Sequence, residues 1–240
     1  MNYCYRCGTQ LNPQDTHHCP SCGAVFSNRK KSNFTLIFTT VFLLIMAFFY
    51  AFVWPAITTN IAKPMIYIYP KEEMDVSIKL GNPELLTTTY PLYNNGWNVH
   101  AKPDGTLIYN NREYYGLYWE GIKNTKSNPT DGFVVAKEDT ISFLEEKLSI
   151  LGLNDREANE FIVYWLPILE ENNYNLIRFQ DIDTINKEMP LIIEPEPDTL
   201  IRVIMEYKPL KKKINIKEQE LTKVERKGFT VVEWGGTQIN

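Results

Sequence analysis

Hydrophobic and polar positions follow two different periods along the second part of this chain. In MDVSIKL, residues 74 to 80, Met74, Val76, Ile78 and Leu80 alternate with Asp75, Ser77 and Lys79, the period of a half-buried strand. MIYIY, residues 65 to 69, is rich in strand-forming residues and stops at Pro70. WNVHAKPDGTLIYN predicts a hairpin turning at Pro103-Asp104-Gly105, and REYYGLYWEG, 112 to 121, adds a strand with Tyr115, Leu117 and Trp119 facing one way. After GFVV the period becomes helical. Ile141, Leu144, Leu148 and Leu151 share a face that Gly152 ends. Asn154 opens a second helix with Glu157 in capping-box position; Ala158, Phe161, Ile162, Trp165 and Leu169 form its buried face, and Pro167 kinks or ends it. NLIRF, LIRVIMEY and FTVVEW return to strand character, so the pattern predicts an α+β domain of antiparallel strands and a helical pair. EPEPD, 194 to 198, and the charged stretch 211 to 228 read as exposed connections.

A different pattern precedes it. FTLIFTTVFLLIMAFFYAFVW, residues 34 to 54, carries no charge. As one helix it would span about 31 Å, matching a hydrocarbon core of about 30 Å. The run is longer than a signal-peptide core, and no small-residue cleavage site follows it, so it predicts a retained transmembrane helix. Arg29, Lys30 and Lys31 precede it and only Lys63 follows closely, which predicts a cytoplasmic N-terminus and an extracytoplasmic C-terminal domain.

All four cysteines lie before that run, in CYRCGTQLNPQDTHHCPSCG, residues 4 to 23. Two C-x2-C pairs, Cys4/Cys7 and Cys19/Cys22, each offer two thiolates to one point, the donor set of a closed structural Zn²⁺ site. Gly8 and Gly23 follow the pairs where a turn of this kind needs a left-handed residue. Asn12-Pro13-Gln14-Asp15 supplies a turn between them. Two disulfides or a redox pair are the rival readings, but repetition with matching glycines favours metal. His17 and His18 are loop residues beside a complete ligand set. Thiols confined to one side of the apolar run fit a reducing cytoplasm there.

Charge separates the same parts. Residues 1 to 31 carry four basic groups against Asp15, and residues 55 to 240 carry the other 21 basic and 28 acidic groups. The acidic part offers no basic stripe, so no nucleic-acid partner is expected. The predicted organisation is a zinc ribbon at 1–27, a basic linker at 28–33, the membrane helix at 34–54, a tether at 55–62 and the α+β domain at 63–240.

KPMIYIYP, YWEG, FIVYWLP and ERKGFTVVEWGG resemble segments of an uncharacterised extracytoplasmic domain found mainly in Gram-positive bacteria. Residues 3 to 26 are similar to the short zinc ribbons of many bacterial single-pass membrane proteins. The resemblance implies a cell-envelope location but no activity.

Candidate chemistry in the larger domain is sparse. His100 has no nucleophile motif near it, and Glu120, Asp131, Glu138 and Glu233 are the carboxylates considered for an acid–base pair. In YYGLYWE, Tyr115 and Trp119 are expected in the core, leaving Tyr114, Tyr118 and Glu120 as a candidate ligand-binding surface. Lys211, Lys212 and Lys213 read as a solvated run. The expected function is a non-catalytic, membrane-anchored envelope protein. Its outer domain would bind a cell-wall component or surface protein, its ribbon would dock a cytosolic protein partner, and membrane lipid would surround its anchor. A membrane-tethered hydrolase or transferase acting on wall material is the alternative.

Overall fold

The computed structural model describes residues 2–12, 17–26, 34–48, 59–123 and 127–239. The chain divides into two compact units, Met1–Pro55 and Ala56–Asn240. The turn at Pro13 to Asp15, the basic cluster Arg29 to Lys31 and the first part of the tether lie outside the described residues.

In the first unit, β1 (Asn2–Tyr3) pairs antiparallel with β2 (Gln10–Leu11). A helix, α1, follows at Phe34–Phe48. Its 15 residues extend about 22 Å at 1.5 Å per residue, well short of a hydrocarbon core of about 30 Å. The remainder of the expected span, residues 49–54, lies outside the described residues. Among the described residues no helix is long and apolar enough to cross a membrane. The membrane helix read from the uncharged run therefore does not stand. With it falls the single-pass localisation, including the cytoplasmic and extracytoplasmic sides, which rested on that helix. Lack of charge sets how apolar a segment is; the length of continuous helix decides whether it can cross.

The second unit holds twelve strands and three α-helices among its described residues. In chain order the strands are β3 (Thr59–Tyr69), β4 (Met74–Leu80), β5 (Leu86–Tyr90), β6 (Trp97–Ala101), β7 (Leu107–Tyr109), β8 (Arg112–Tyr114), β9 (Leu117–Lys123) and β10 (Phe133–Ala136). Helices α2 (Thr140–Ile150) and α3 (Asp155–Leu169) follow, then β11 (Tyr174–Phe179), α4 (Ile182–Glu188), β12 (Leu191–Glu194), β13 (Thr199–Leu210) and β14 (Thr230–Gln238). Seven strands form one sheet in the order β10-β11-β13-β14-β3-β9-β5, and five form another, β12-β4-β6-β7-β8.

Strand β3 shows how the layers stack. Its Met65 and Tyr67 join Leu144, Phe161, Trp165 and Trp234 in a core under α2 and α3. Its Ile66 and Ile68 join Val76, Ile78, Trp97 and Val99 in a second core, between the two sheets. One sheet thus carries helices on one face and the other sheet on its opposite face. The unit is mostly β, with a parallel β13/β14 pair at the middle of the larger sheet, where the sequence predicted α+β with antiparallel strands. Strands β13 and β14 are buried in near-continuous runs because both their faces are covered, which erases the alternation that marks a half-exposed strand. LTTTY and LIIE, with short or polar patterns, gave no strand signal but form β5 and β12.

Local chemistry explains the ends of the elements. Asn154 accepts from the Glu157 amide at 2.9 Å while Glu157 accepts from the Asn154 amide at 2.9 Å, closing a capping box at the start of α3. Pro167 sits inside the last turn of α3, which ends at Leu169. The β6–β7 hairpin turns through Gly105, whose φ of 88° no other residue type adopts easily.

Candidate functional site

The two cysteine pairs fold as near-copies of each other. The Cys4 amide donates to the Thr9 carbonyl at 2.9 Å and the Gly8 amide to the Cys4 carbonyl at 2.9 Å. The Cys19 amide likewise donates to the Ala24 carbonyl at 2.8 Å and the Gly23 amide to the Cys19 carbonyl at 2.9 Å. Gly8 and Gly23 take φ of 72° and 69°, the left-handed turn that lets the chain curl back over its sulfurs. These turns aim all four Sγ atoms inward. Cys4 Sγ stands 3.6 Å from Cys22 Sγ and Cys7 Sγ 3.7 Å from Cys19 Sγ, and all four lie within 4.8 Å of one another. A disulfide needs about 2.05 Å, so the sulfurs are unbonded. Thr9 donates to Cys7 through side chain and backbone, holding its thiol down to about 6. Four converging thiols, Cys4 and Cys19 buried, can hold one metal ion. His17 and His18 are exposed and stand outside the cluster.

The candidate ligand residues of the larger unit are split between its sheets. Tyr114 lies on β8 of the five-stranded sheet, its ring 5.6 Å from that of Tyr90. Tyr118 and Glu120 share the helix-facing side of β9, and the chain's own Lys63 occupies them. The Lys63 amide donates to Glu120 Oε1 at 3.3 Å, and Lys63 Nζ sits 5.6 Å from the Tyr118 ring centre and 5.2 Å from that of Tyr164. Burial, and then the Glu120 carboxylate, push the Tyr118 phenol above its ordinary value. Trp119 is buried as expected, but Tyr115 is 51% exposed. The cause is Gly116, where the chain leaves one sheet for the other and resets its alternation. A Cβ there would lie 2.9 Å from Met65 Cε and 3.1 Å from the Ile66 carbonyl, so a side chain at this position would crowd β3.

The four carboxylates considered for acid–base work do not converge. Glu120 faces α3, whereas Glu233 faces the opposite core and accepts from Trp119 Nε1 at 2.9 Å. Asp131 accepts from Arg178 Nε at 2.9 Å, and Glu138 lies in the short 3-10 turn before α2. His100 packs against Asp75 at 2.9 Å and Glu73 at 3.4 Å. Both contacts, Asp75 first, raise its pKa. Lys213 borders a cleft of about 450 Å³ beside β10.

Sequence reading named Glu233 but missed its partner Arg202 and the buried charges of Lys123, Glu188 and Glu206. Arg202 donates through Nε to Glu233 Oε2 at 2.6 Å, through Nη1 to Asn186 Oδ1 at 2.8 Å and through Nη2 to the Met189 carbonyl at 2.9 Å. Lys123 Nζ donates to Glu206 Oε1 at 2.7 Å and lies 3.3 Å from Glu188 Oε1. Glu206 also accepts from Ser127 Oγ at 2.6 Å and Gln180 Nε2 at 2.8 Å. Burial alone would raise the Glu206 pKa; the donors, led by Lys123, outweigh it and hold the carboxyl below its usual range. A signal existed: Arg202 and Glu206 interrupt LIRVIMEY, and Glu233 interrupts FTVVEW, where charge is rare unless paired.

No protein-family model and no solved structure matches the chain. A stretch of 62 residues, 25% of the chain, is 37% identical to the uncharacterized protein in the bglA 3′ region of Butyrivibrio fibrisolvens. The chain spans 65% of that relative's length, and the similarity comes without any described activity.

Proposed function

We propose that this chain is a non-catalytic binding protein, in which a zinc-ribbon unit docks a protein partner and the β-rich unit holds a ligand of its own. The observation that carries the reading is the sulfur geometry. Thiolates about 2.3 Å from a tetrahedral zinc lie about 3.8 Å from one another, close to the 3.6 Å between Cys4 and Cys22 Sγ and the 3.7 Å between Cys7 and Cys19 Sγ. Four protein ligands complete such a site and leave no position for a reacting water, so the metal acts by holding the fold. In the β-rich unit the recessed carboxylates support binding over turnover. Glu233, Glu206 and Glu157 each accept from an arginine or lysine of the same chain, so each is engaged in a structural ion pair. The cell-wall ligand expected from the layout loses its support with the membrane helix.

Metal analysis of the purified full-length chain is the test, joined to partner capture. One zinc per chain, and a captured protein released both by chelation and by the Cys4→Ser plus Cys22→Ser change, is the expected result. A metal-free chain that captures the same protein would overturn the docking role. Turnover of an ester, amide or glycoside lost in Glu206→Gln, with the fold intact, would replace binding by catalysis.

A further inference from the structure

Strand β10 forms one edge of the seven-stranded sheet, and β11 pairs with it from one side. Along a strand the backbone groups of successive residues point to opposite sides, so parity tells which of them the ladder uses. The Lys137 amide donates to the Asn173 carbonyl, on the β11 side. The Gly132 amide turns the other way and donates to the Lys217 carbonyl at 2.9 Å. Val134, two residues on from Gly132, therefore directs its N–H and C=O away from β11. Among the described residues neither group has a backbone partner.

The chain runs past that open edge without closing it. Leu210 stands opposite Tyr174, and Tyr174 stands opposite Ala136, while Lys217 meets Asp131 in a single bridge. Residues 211–216 thus form a strap from the Ala136 end of β10 to its Asp131 end. Between strap and strand lies a cleft of about 450 Å³, walled by β10, by Ser142 and Phe143 of α2, and by Lys213 to Ile216. One residue of a sheet fills about 160 Å³, given a rise of about 3.3 Å, a strand spacing of about 4.8 Å and a layer of about 10 Å. The cleft has room for about three residues of one more strand beside Val134.

Its lining suits a peptide. Unpaired backbone groups on an open edge are met by the backbone of an added strand, with neighbouring side chains supplying selectivity. Half-buried Phe143 and Ile216, with Ile214 at 38% exposure, offer apolar contact to one side chain. Lys147 is already committed, donating to Glu146 at 2.9 Å with its Nζ 5.1 Å from the Phe133 ring centre. The strap on the far side leaves no space for the sheet of a second folded copy, which would bring further strands behind the first. We propose that this cleft takes up an extended segment of a partner protein, which adds to β10 as a short strand with an apolar residue against Phe143, Ile214 and Ile216. The proposal rests on the reading that the β-rich unit holds a ligand of its own, and it names that ligand. Its failure leaves zinc content and capture by the ribbon as they are, whereas failure of the binding reading shows as turnover.

The test is NMR titration of the full-length, ¹⁵N-labelled chain with the end-blocked peptide acetyl-Lys-Thr-Ile-Thr-Glu-amide and with the same peptide N-methylated at its three central residues. The unmodified peptide should shift the Val134 amide saturably and slow its hydrogen exchange at least about tenfold. The N-methylated form lacks the donors and should do neither. Val134→Pro removes the open-edge N–H but leaves the β11 ladder intact, at a place where an edge strand tolerates proline. It should keep the dispersed indole signals of the free protein and weaken the peptide about tenfold. Ser142→Trp, on an exposed side chain of the cleft wall, should fill the space and block the peptide even if Val134→Pro does not fold. No shift of Val134 up to about 10 mM peptide, equal binding of the N-methylated form, or a Val134 amide already protected in the free chain would each overturn the proposal. A dimer that Val134→Pro dissolves would overturn it too, because a second copy would then be the occupant.

Discussion

Trp119 donates its indole N–H to Glu233 across 2.9 Å, although the two residues are 114 positions apart in sequence and almost wholly shielded from water. The same carboxylate accepts from Arg202 at 2.6 Å, with both side chains 0% exposed. A buried pair of this kind is costly to break from one side. Glu233→Ala should destabilise the β-rich unit by about 3–5 kcal/mol, because it leaves the Arg202 guanidinium buried without its counter-charge. The double change Glu233→Leu plus Arg202→Met should recover much of that loss in urea unfolding. A single and a double variant of equal stability would show that the pair is not the source of the cost.

Metal removal should act on one unit alone. In heteronuclear spectra, chelation should collapse the dispersed amide signals of Gly8 and Gly23, whose left-handed turns curl over the four sulfurs that a metal would hold. The indole signals of Trp97, Trp119, Trp165 and Trp234 should stay in place, since those rings belong to cores that contain no cysteine. Unmoved Gly8 and Gly23 signals would contradict a metal-held fold.

His100 gives a pH signature. Hydrogen bonds with Asp75, and then Glu73, raise its pKa in the folded protein above the ordinary imidazole value. Its contribution to stability should therefore be fully present below the unfolded-state pKa and be lost as pH rises through the folded one. Titration of the imidazole signals by NMR should give a midpoint above that of a free histidine, and Asp75→Asn should lower it. A midpoint unchanged by Asp75→Asn would show that the contact does not form in solution.

Gly236 on β14 lies directly against the Trp165 ring of α3. A Cβ there would lie 2.6 Å from Trp165 Cζ2 and 2.9 Å from the Met205 carbonyl. Gly236→Ala should cost about 1–3 kcal/mol, as overpacking in a dense core does. Chemical denaturation against wild type measures it; a neutral substitution would mean that Trp165 moves aside freely.

Sequence by itself determined whatever depends on neighbours in the chain. The cysteine spacing and the glycines after each pair are enough to curl two turns, and the Asn154–Glu157 spacing is enough to cap α3. The strict alternation of β4 and the β6–β7 turn were readable for the same reason, since one face of each strand meets a core and the other does not. Only the tertiary structure decided what depends on residues far apart. It moved Tyr115 to the surface by a change of sheet at Gly116. It also set Lys63 between Tyr118 and Tyr164, and brought Lys123 to Glu206 and Arg202 to Glu233. Alternation along a strand records burial on one side at a time. A strand covered on both faces gives no such record, and the partner of a buried charge is fixed by which strands lie side by side, which no local pattern encodes.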